Sequence, residues 1–510
     1  MMLQLILLLL VAGVVAWQAE RFSSTLPRWV TVVAVLLALL MLIANLGGIP
    51  AERFTLVSYP GEPQGWLMYS QHAWIPRFGI SLEFGMDGLS LLLLLLTLGL
   101  GLVAVVSSWD EIEFKPGLFQ ANLLWTLAGV AGVFLALDLF LFFLFWEVML
   151  IPMYLLIAIW GHEKRAYAAM KFFIFTQVSG LLMLLSIVVL AFQGAGEDGI
   201  SFSYSDLLAS APTGRAGMLT MLGFFIAFTV KLPGFPFHTW LPDAHTQAPT
   251  AGSVLLAGIL LKTGAYGLLR FCIPLFPEAS MQFAPVAMGL GVLGIVYGAI
   301  LAFAQSDFKR LVAYSSVSHM GFVLLGLYAW NSLALQGAIM QMVAHGVSTA
   351  ALFMMAGALQ HRLHTRDMFR MGGLWQQAPR MGACAMFFAV ASLGLPGMGN
   401  FVAEFLVLAG LFAVSPWMTA AAALGLITAA VYSLWMMQQA FQGRPDNNRE
   451  MADFGVREMS AMLVMMAVLL GLGLYPQPLF DLTQPVLEGL LPRMSEPMSA
   501  LPRLLSEVSP

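Results

Sequence analysis

The chain consists largely of apolar stretches, about 17–25 residues long, that are joined by short polar connections. A stretch of that length, coiled as an α-helix, crosses the roughly 30 Å of hydrocarbon in a lipid bilayer. The composition agrees, because 60% of the residues are hydrophobic and 10% are charged, whereas soluble domains carry about 25% charged residues. The sequence therefore predicts an all-α integral membrane protein.

The apolar stretches divide into fourteen predicted membrane spans, numbered 1 to 14 along the chain. Their bounds are 2–17, 29–47, 88–107, 118–137, 139–160, 171–192, 217–246, 251–271, 282–304, 308–330, 333–359, 380–413, 417–441 and 457–476. Spans 7 and 12 are interrupted, since each contains a Pro-Gly pair inside its apolar run, and proline breaks the hydrogen bonding of a helix. Span 1 has no Lys or Arg before it and lacks a clear cleavage site, so we expect it to be retained.

The basic residues are distributed unevenly between the two sides of the membrane. Fifteen of the 23 Lys and Arg fall in connections that follow odd-numbered spans. The opposite side, which carries both termini, holds six, and Lys231 and Lys262 lie within the membrane. Because cytoplasmic connections are enriched in Lys and Arg, both termini are predicted to be on the non-cytoplasmic side.

The two interrupted spans resemble each other. Residues 224–234 read FFIAFTVKLPG and residues 387–397 read FFAVASLGLPG, with five of eleven positions identical. The segments lie five spans apart and so cross the membrane in opposite directions. Paired broken helices in oppositely oriented repeats indicate the binding or translocation site of a transporter. The alternative is that LPG is a common kink in membrane helices and that the match is chance.

Four ionisable side chains lie where the spans should be surrounded by hydrocarbon, namely Glu147, Lys231, Lys262 and Glu404. A charge at the bilayer centre costs roughly 2.5–3.5 kcal/mol, so four nominally cost on the order of 10–14 kcal/mol. Residues retained at such a cost usually line an ion or proton path, because transport requires a group that changes its charge inside the membrane. Proton movement is therefore the leading hypothesis from the residues alone.

Three of these groups have distinct expected roles. Lys262 lies about nine residues from either end of span 8, too deep for its stem to reach the surface. A desolvated lysine loses its proton readily, so Lys262 suits a carrier that cycles between charged and neutral forms. Lys231 precedes the break at Pro233, and Glu147 is about eight residues into span 5. If these two pair, moving them apart would release a proton; the alternative is a permanent structural ion pair.

Glu404 and two histidines extend the predicted path. Glu404 follows the second break and is expected to accept and release protons at one end. Alternatively, it caps the second half-helix, whose N-terminal end favours a carboxylate. His319 in span 10 and His345 in span 11 are predicted to relay protons, since histidine titrates near neutral pH. A lone histidine in an apolar helix is more often a satisfied hydrogen bonder between helices.

The sequence gives little support for metal or redox chemistry. Cys272 and Cys384 are far apart, so they form neither a CxxC pair nor the ligand set of an iron–sulfur cluster. His238, Asp243 and His245 have the residue types of metal ligands but lack helical i, i+4 spacing on a rigid face. We expect no metal site and no cofactor site in this chain.

Four motifs resemble the antiporter-like subunits of respiratory complex I. They are WEVMLIPMYLLI at 146–157, HTWLPDAHTQAPTAGSVLLAGILLKTGAYGLLRF at 238–271, DFKRLVAYSSVSHMGFVLLG at 307–326 and LPGMGNFVAEFLVLAG at 395–410. The resemblance implies fourteen helices with two inverted five-helix repeats, each containing a broken helix. Two of the three large subunits in the family generally carry Lys in the broken twelfth helix, where this chain has Glu404. The chain is therefore similar to the remaining branch, which lacks a long lateral helix after span 14.

The resemblance also implies roles for individual residues. The family has a carboxylate paired with a broken-helix lysine, a central relay lysine, two connecting histidines and a terminal proton carrier. These roles fall, in that order, on Glu147 with Lys231, on Lys262, on His319 with His345, and on Glu404. In complex I, electrons pass from NADH through flavin and iron–sulfur clusters in other subunits to quinone, and that energy drives proton pumping. The resemblance thus implies a proton-translocating subunit with no redox centre of its own.

The expected partners and location follow from the same resemblance. They are the other membrane-arm subunits, especially the neighbouring antiporter-like ones, and the lipid bilayer, with NADH and quinone bound elsewhere and no nucleic acid. The expected location is the bacterial cytoplasmic membrane. The chain divides into three spans with an external loop (1–117), an antiporter-like translocation core (118–441), and a last span with an external tail (442–510). The tail after Pro476, with six more prolines, is predicted to be extended.

Three alternatives remain open from the sequence. The chain could belong to a multi-chain sodium/proton antiporter, whose subunits share the fold, or to the membrane arm of a hydrogenase or formate-oxidising complex. It could also be a membrane scaffold in which buried charges only lock helices together. Glu404 and the close match around spans 8 and 10 favour complex I over the first two.

Overall fold

The computed structural model describes residues 1–57, 65–195, 199–443 and 451–491. Within these ranges, twelve helices are long and apolar enough to cross a membrane. Spans 7 and 12, each formed by two shorter helices, bring the total to the fourteen that the sequence predicts. The protein is therefore a multi-pass membrane protein with the predicted all-α fold of two inverted five-helix repeats.

The unbroken spans agree with the predicted bounds to within a few residues at most ends. Spans 1 to 6 are Met2–Ala19, Leu26–Leu46, Gly88–Ser107, Pro116–Leu135, Leu139–Trp160 and Arg165–Gln193. Spans 8 to 11 are Thr250–Leu275, Pro277–Phe303, Phe308–Tyr328 and Ser332–Leu363, and spans 13 and 14 are Pro416–Ala440 and Val456–Leu474. Short helices at Tyr204–Ser210 and Leu374–Gln377 lie in connections.

The breaks in spans 7 and 12 fall at the predicted Pro-Gly pairs. The two halves are Gly214–Lys231 and Trp240–Gln247 in span 7, and Pro379–Ser392 and Gly399–Val414 in span 12. In the second break, Gly394 and Gly397 have φ angles of 81° and 94°, a backbone region that suits glycine because it has no Cβ. The similarity between residues 224–234 and 387–397 therefore reflects the same structural feature in both repeats.

Span 8 lies in the centre of the bundle and is not a regular α-helix. Wider π-helical turns at Leu256–Leu260 and Leu268–Cys272 flank the α-helical segment Leu261–Gly267, which contains Lys262. Such turns are rare and are often found at functional sites. Every residue from 250 to 275 is buried, so the span contacts protein on all sides.

A β-hairpin covers one end of the bundle. Strands β1 (Met68–Ile75) and β2 (Ile80–Met86) pair antiparallel. The chain then enters span 3 through Asp87, whose carboxylate accepts a hydrogen bond from the Ser90 N–H at 2.9 Å and so caps the helix. The same carboxylate forms a buried ion pair with Arg270 near the end of span 8. The Asp87–Arg270 ion pair therefore connects the end of span 8 to the start of span 3, next to the hairpin.

The segment after Pro476 differs from the predicted extended tail. Residues 477–491 are helical, and Gln336 of span 11 donates a hydrogen bond to Gln484 at 2.8 Å. The helix forms because Leu479, Thr483 and Leu487, spaced four residues apart, are buried against the bundle. The remainder of the predicted tail, residues 492–510, lies outside the described ranges.

Candidate functional site

Four of the predicted relay residues form two hydrogen-bonded pairs in the interior of the bundle. Lys262 of span 8 contacts His345 of span 11, and His319 of span 10 contacts Glu404 of span 12. All four side chains are buried, so both pairs are shielded from bulk water. Each pair joins two groups that can change charge, which is the arrangement that proton transfer requires.

Lys262 is held by two acceptors. Its Nζ donates to the carbonyl oxygen of Ala257 at 2.5 Å and lies 2.8 Å from Nδ1 of His345. An ammonium group has only donors, so Nδ1 accepts, and the imidazole proton lies on Nε2 when Lys262 is charged. Nε2 is buried and has no hydrogen-bond partner among the described residues. Ala257 belongs to the π-helical turn Leu256–Leu260, so this irregular turn supplies the carbonyl group that binds the lysine.

Glu404 is hydrogen-bonded to two side chains from neighbouring spans. Its Oε1 lies 2.8 Å from Nδ1 of His319 and accepts a hydrogen bond from Nε2 of Gln341 at 3.0 Å. The helix that carries Glu404 begins at Gly399, with Met398 as its N-cap residue and no side-chain cap bond. The capping role considered from the sequence is therefore not observed. The second oxygen, Oε2, is buried and unpaired in the described part of the chain.

The other ring nitrogen of His319 faces two hydroxyl groups. Nε2 lies 3.2 Å from the Tyr432 hydroxyl in span 13 and 3.3 Å from Oγ of Ser392, the last residue before the second break. A hydroxyl group donates to Nε2 when the imidazole is neutral, which leaves the ring proton on Nδ1, facing Glu404. This network fixes the orientation of the imidazole.

Lys231 and Glu147 face each other without direct contact. Nζ of Lys231 lies 5.3 Å from the ring centroid of Trp146 and 5.5 Å from that of Phe172, so the cation is held by aromatic faces. No hydrogen bond to Nζ is present in the described ranges, and Oε1 of Glu147 is likewise unpaired there. The two charges still interact electrostatically. The permanent ion pair considered from the sequence is therefore not observed among the described residues.

The predicted path is interrupted between the two hydrogen-bonded pairs. The ring centroids of His319 and His345 are 5.6 Å apart, with an angle of 57° between the planes, and no hydrogen bond connects the rings within the described ranges. Span 8 packs closely on the end of the first half of span 7, since a Cβ atom at Gly264 would lie 2.7 Å from the backbone nitrogen of Leu232. Lys231 and Lys262 therefore lie on adjacent helices.

The three residues considered as weak metal ligands do not converge. Asp243 forms an ion pair with Lys171 at 2.6 Å, His238 stacks on Phe235, and His245 stacks on Phe353 at 4.4 Å between ring centroids. Over the described ranges, no group of three or more His, Cys, Asp or Glu residues could hold a metal ion.

A polar cavity of about 870 Å³ opens on the side where the connections follow odd-numbered spans. Charged residues of both signs line it, namely Glu163, Lys164, Asp243, Asp307, Arg310 and Arg366. Burial, with a further contribution from the charges of Lys309 and Arg366, lowers the pKa of His162 at this cavity to about 3. Thr246 at the wall of the cavity is the immediate neighbour of the buried His245, so the cavity reaches the second half of span 7.

Several residues of this network were not predicted from the sequence. Gln341, Tyr432 and Ser392 surround the His319–Glu404 pair, and the Asp87–Arg270 ion pair lies at the other end of the bundle. Arg270 lies at the end of the predicted span 8 (251–271), and no signal in the sequence pairs it with Asp87. Gln341, Tyr432 and Ser392 could have been noticed only as polar side chains inside spans. Such side chains are common in membrane helices, so their presence does not identify these three as part of the site.

Comparison with known proteins identifies the family. Residues 136–430, more than half of the chain, match the model of the NADH:quinone oxidoreductase/Mrp antiporter transmembrane family. A relative in Pseudomonas aeruginosa, NADH-quinone oxidoreductase subunit M, is 52% identical over 504 residues, covering 98% of both chains.

Solved structures show the same fold. A chain of respiratory complex I from Thermus thermophilus with bound NADH superposes with a TM-score of 0.85 at 31% identity, covering 98% of this chain and 100% of that one. A chain of the Mrp complex from a Dietzia species has a TM-score of 0.78 at 21% identity, with 97% and 98% coverage, which shows a shared fold alone. The chain belongs to the subunit M family of the NADH-quinone oxidoreductases, within the wider NADH:quinone oxidoreductase/Mrp antiporter transmembrane family.

Proposed function

We propose that this chain translocates protons as a membrane-arm subunit of an NADH:quinone oxidoreductase, through a relay of Glu147, Lys231, Lys262, His345, His319 and Glu404. The observation that supports it best is the pair of buried hydrogen bonds, Lys262–His345 and His319–Glu404. Each couples two titratable groups inside the bundle, and in each pair one polar atom, Nε2 of His345 or Oε2 of Glu404, has no hydrogen-bond partner among the described residues. A scaffold that only locked helices together would not need unpaired polar atoms at this depth, since such atoms are costly to bury.

The relay works by changing which group holds the positive charge. When Glu147 attracts Lys231, the lysine stays protonated. When the two are separated, as here, the ammonium is held by aromatic rings alone and gives up its proton more easily. A change of charge at Lys231 alters the electrostatic energy of Lys262 on the adjacent helix, because Coulomb interactions are strong in a medium of low dielectric constant. Moving one proton against 100 mV costs about 2.3 kcal/mol, which the switching of one buried ion pair can supply.

The energy comes from partner subunits. Electrons from NADH pass through flavin and iron–sulfur clusters to quinone in those subunits, and this chain carries no cofactor of its own. Its direct neighbours are the other antiporter-like subunits of the membrane arm. We assign the chain to the bacterial cytoplasmic membrane, with both termini on the non-cytoplasmic side and the 870 Å³ cavity facing the cytoplasm. Residues 118–441 form the translocation core, flanked by 1–117 and 442–510.

Replacing the switch residues tests the proposal. We expect Lys231→Ala and Glu147→Ala to preserve assembly of the complex and to lower proton pumping at least tenfold, because neither remaining partner can switch charge alone. The measurement is NADH-driven acidification of inverted membrane vesicles, with NADH oxidation by an artificial acceptor as the check on assembly. The matched control is Arg215→Ala, which removes an exposed cation from the first turn of the same broken span.

The result also separates the alternatives. Wild-type pumping in both switch variants would support a scaffold, and sodium uptake into the vesicles in exchange for lumenal protons would support a sodium/proton antiporter. The similarity to subunit M over 98% of the chain favours the oxidoreductase. The likeness to the Mrp complex, at 21% identity, does not extend beyond the fold.

A further inference from the structure

Gln341 lies beside the His319–Glu404 pair. It lies on span 11, four residues before His345, and is fully buried. Its Nε2 donates to Oε1 of Glu404 at 3.0 Å and lies 3.5 Å from Nδ1 of His319. Its own Oε1 is buried and has no hydrogen-bond partner in the described part of the chain. The NH₂ group of the amide is therefore hydrogen-bonded, whereas its carbonyl oxygen has no partner among the described residues.

Close packing of two helices places Gln341 against Glu404. A Cβ atom at Gly337, one turn before Gln341, would lie 2.7 Å from the carbonyl oxygen of Ala403, and one at Gly410 would lie 2.7 Å from the backbone nitrogen of Ala334. Any larger side chain at these two glycines would push span 11 away from the second half of span 12. The contact between the amide and the carboxyl group is thus built into the packing of the backbones.

The chemistry of an amide matches both charge states of a carboxyl group. Ionised Glu404 can only accept hydrogen bonds, whereas protonated Glu404 carries an O–H that must donate one. A glutamine side chain offers an NH₂ donor and a carbonyl acceptor, which exchange places by a half-turn of its terminal torsion. That torsion is broad and roughly two-fold. Because the amide oxygen of Gln341 is unpaired among the described residues, a half-turn breaks no bond on that side.

We propose that the Gln341 amide reverses when Glu404 takes up a proton, so that this positioning residue stabilises both charge states of the terminal carrier. The inference rests on the proposed proton-carrying role of Glu404. With Glu404 ionised, the NH₂ group and the Nδ1–H of His319 both donate to Oε1, as seen here. With Glu404 protonated, its O–H donates to the amide oxygen. The titratable groups that face Glu404 from other spans are His319 and Tyr432.

Infrared difference spectroscopy of the intact complex during NADH oxidation tests this inference. A carboxyl C=O band that appears when Glu404 is protonated is assigned by its loss in Glu404→Gln. In Gln341→Met, which keeps the length but removes the donor and the acceptor, we expect this band at higher wavenumber, because the O–H has lost its acceptor. Pumping should fall about tenfold, as expected for a lost hydrogen bond to a charged group. Gln336→Met, on the same helix but bonded to Gln484, should change neither reading.

The possible results are distinct. A Glu404 band at the same wavenumber in Gln341→Met and the wild type would overturn the inference, since the amide would then not contact the protonated acid. The absence of any Glu404 band in the wild type would overturn it as well, because Glu404 would not change charge. Normal pumping by Glu404→Gln would instead contradict the carrier role itself. A band shift without loss of pumping would mean that the amide follows Glu404 without assisting it, which also contradicts the stabilising role.

Discussion

Nζ of Lys262 lies 2.8 Å from Nδ1 of His345, and the opposite nitrogen of the same ring has no hydrogen-bond partner in the ranges that the structure describes. Histidine can take a proton on one nitrogen and release another from the other. Nδ1 of His345 therefore faces Lys262, and Nε2 is the nitrogen through which the proposed relay would continue to His319. The distance of 5.6 Å between the two imidazole centroids is wide enough that water must complete the connection.

Removing the ring of His345 should disconnect the two halves of the relay. We expect His345→Ala to lower NADH-driven proton pumping at least tenfold while the complex still assembles, because Lys262 loses the side chain that accepts its hydrogen bond and that would receive its proton in the proposed relay. His361→Ala on the same helix, where the histidine is exposed, is the control and should pump normally. Undiminished pumping by His345→Ala would show that protons leave Lys262 by another route.

The aromatic face of Trp146 should influence the switch. Its ring lies 5.3 Å from Nζ of Lys231, and such a contact contributes about 0.5–2 kcal/mol. We expect Trp146→Leu to draw Lys231 toward Glu147 and to slow pumping about threefold to tenfold. Trp146→Phe keeps an aromatic face and should retain most of the activity. If the Leu and Phe variants pump equally, the ring has no role in holding the lysine.

Glu404 should tolerate lysine better than alanine. A lysine at this position can donate to Nδ1 of His319, as Lys262 does to His345, whereas alanine removes the group that contacts Nδ1 of His319 and the NH₂ group of Gln341. We therefore expect pumping to rank wild type, then Glu404→Lys, then Glu404→Ala, in the vesicle assay. Equal rates for all three would remove the proposed carrier role.

The second break should be sensitive to a single methyl group. A Cβ atom at Gly394 would lie 3.3 Å from Oε2 of Glu404, and the φ angle of 81° adds strain for any other residue. Gly397 has a similar φ angle of 94°, but a Cβ atom there would meet only Leu474 at 3.8 Å. We expect both alanine variants to lose about 1–2 kcal/mol of stability from backbone strain. Only Gly394→Ala should also slow pumping, because only there does the methyl group crowd the carboxyl group.

Thermal unfolding and vesicle pumping of the two glycine variants separate strain from crowding. We expect Gly394→Ala and Gly397→Ala to have similar unfolding midpoints, and we expect Gly394→Ala to pump more slowly than Gly397→Ala. Equal pumping rates would mean that the free oxygen of Glu404 does not need the space beside Gly394.

His162 should contribute to acid sensitivity. Its pKa is about 3 in the folded protein because of burial, with a smaller contribution from Lys309 and Arg366, and about 6.5 when unfolded. Between these values the unfolded state binds the extra proton, so stability falls as the pH decreases below about 6.5. Allowing for partial exposure to solvent, we expect His162→Gln to recover about 1 kcal/mol at pH 5 relative to pH 7. The unfolding midpoint at both pH values is the measurement, and His361→Gln, at an exposed site, should show no recovery.

The membrane spans could be predicted closely because apolar length and Pro-Gly breaks determine them. Span 3 was predicted at 88–107 and is Gly88–Ser107. Span 6 was predicted to begin at 171 but begins at Arg165, since hydropathy marks the edge of the lipid and a helix can continue beyond it with basic residues. The prediction of an extended tail after Pro476 was wrong for a related reason. Prolines at intervals do not prevent a helix when its apolar face is buried against the bundle.

Only the charged residues and the histidines of the candidate site could be predicted from the sequence. Lysine and glutamate at the centre of a span are costly, so Lys262 and Glu404 stand out in the sequence. Gln341 and Tyr432 do not, because an uncharged polar side chain costs little in a membrane helix and its partner lies in another span. The separation of Lys231 from Glu147 could not be predicted from the sequence either, because it depends on the position of the Trp146 ring.

The ion pair between Asp87 and Arg270 limits how span 8 can move. Breaking a buried ion pair costs about 3–5 kcal/mol, so we expect the end of the helix near Arg270 to stay attached to Asp87 at the start of span 3 during pumping. With that end fixed, a displacement of Lys262 along the helix axis would require the π-helical turn Leu268–Cys272 to change on the anchored side, with a matching change in the turn Leu256–Leu260 on the other side. If Lys262 shifts during pumping, the two irregular turns together set how far it moves, and spectroscopic labels on both turns would record the change.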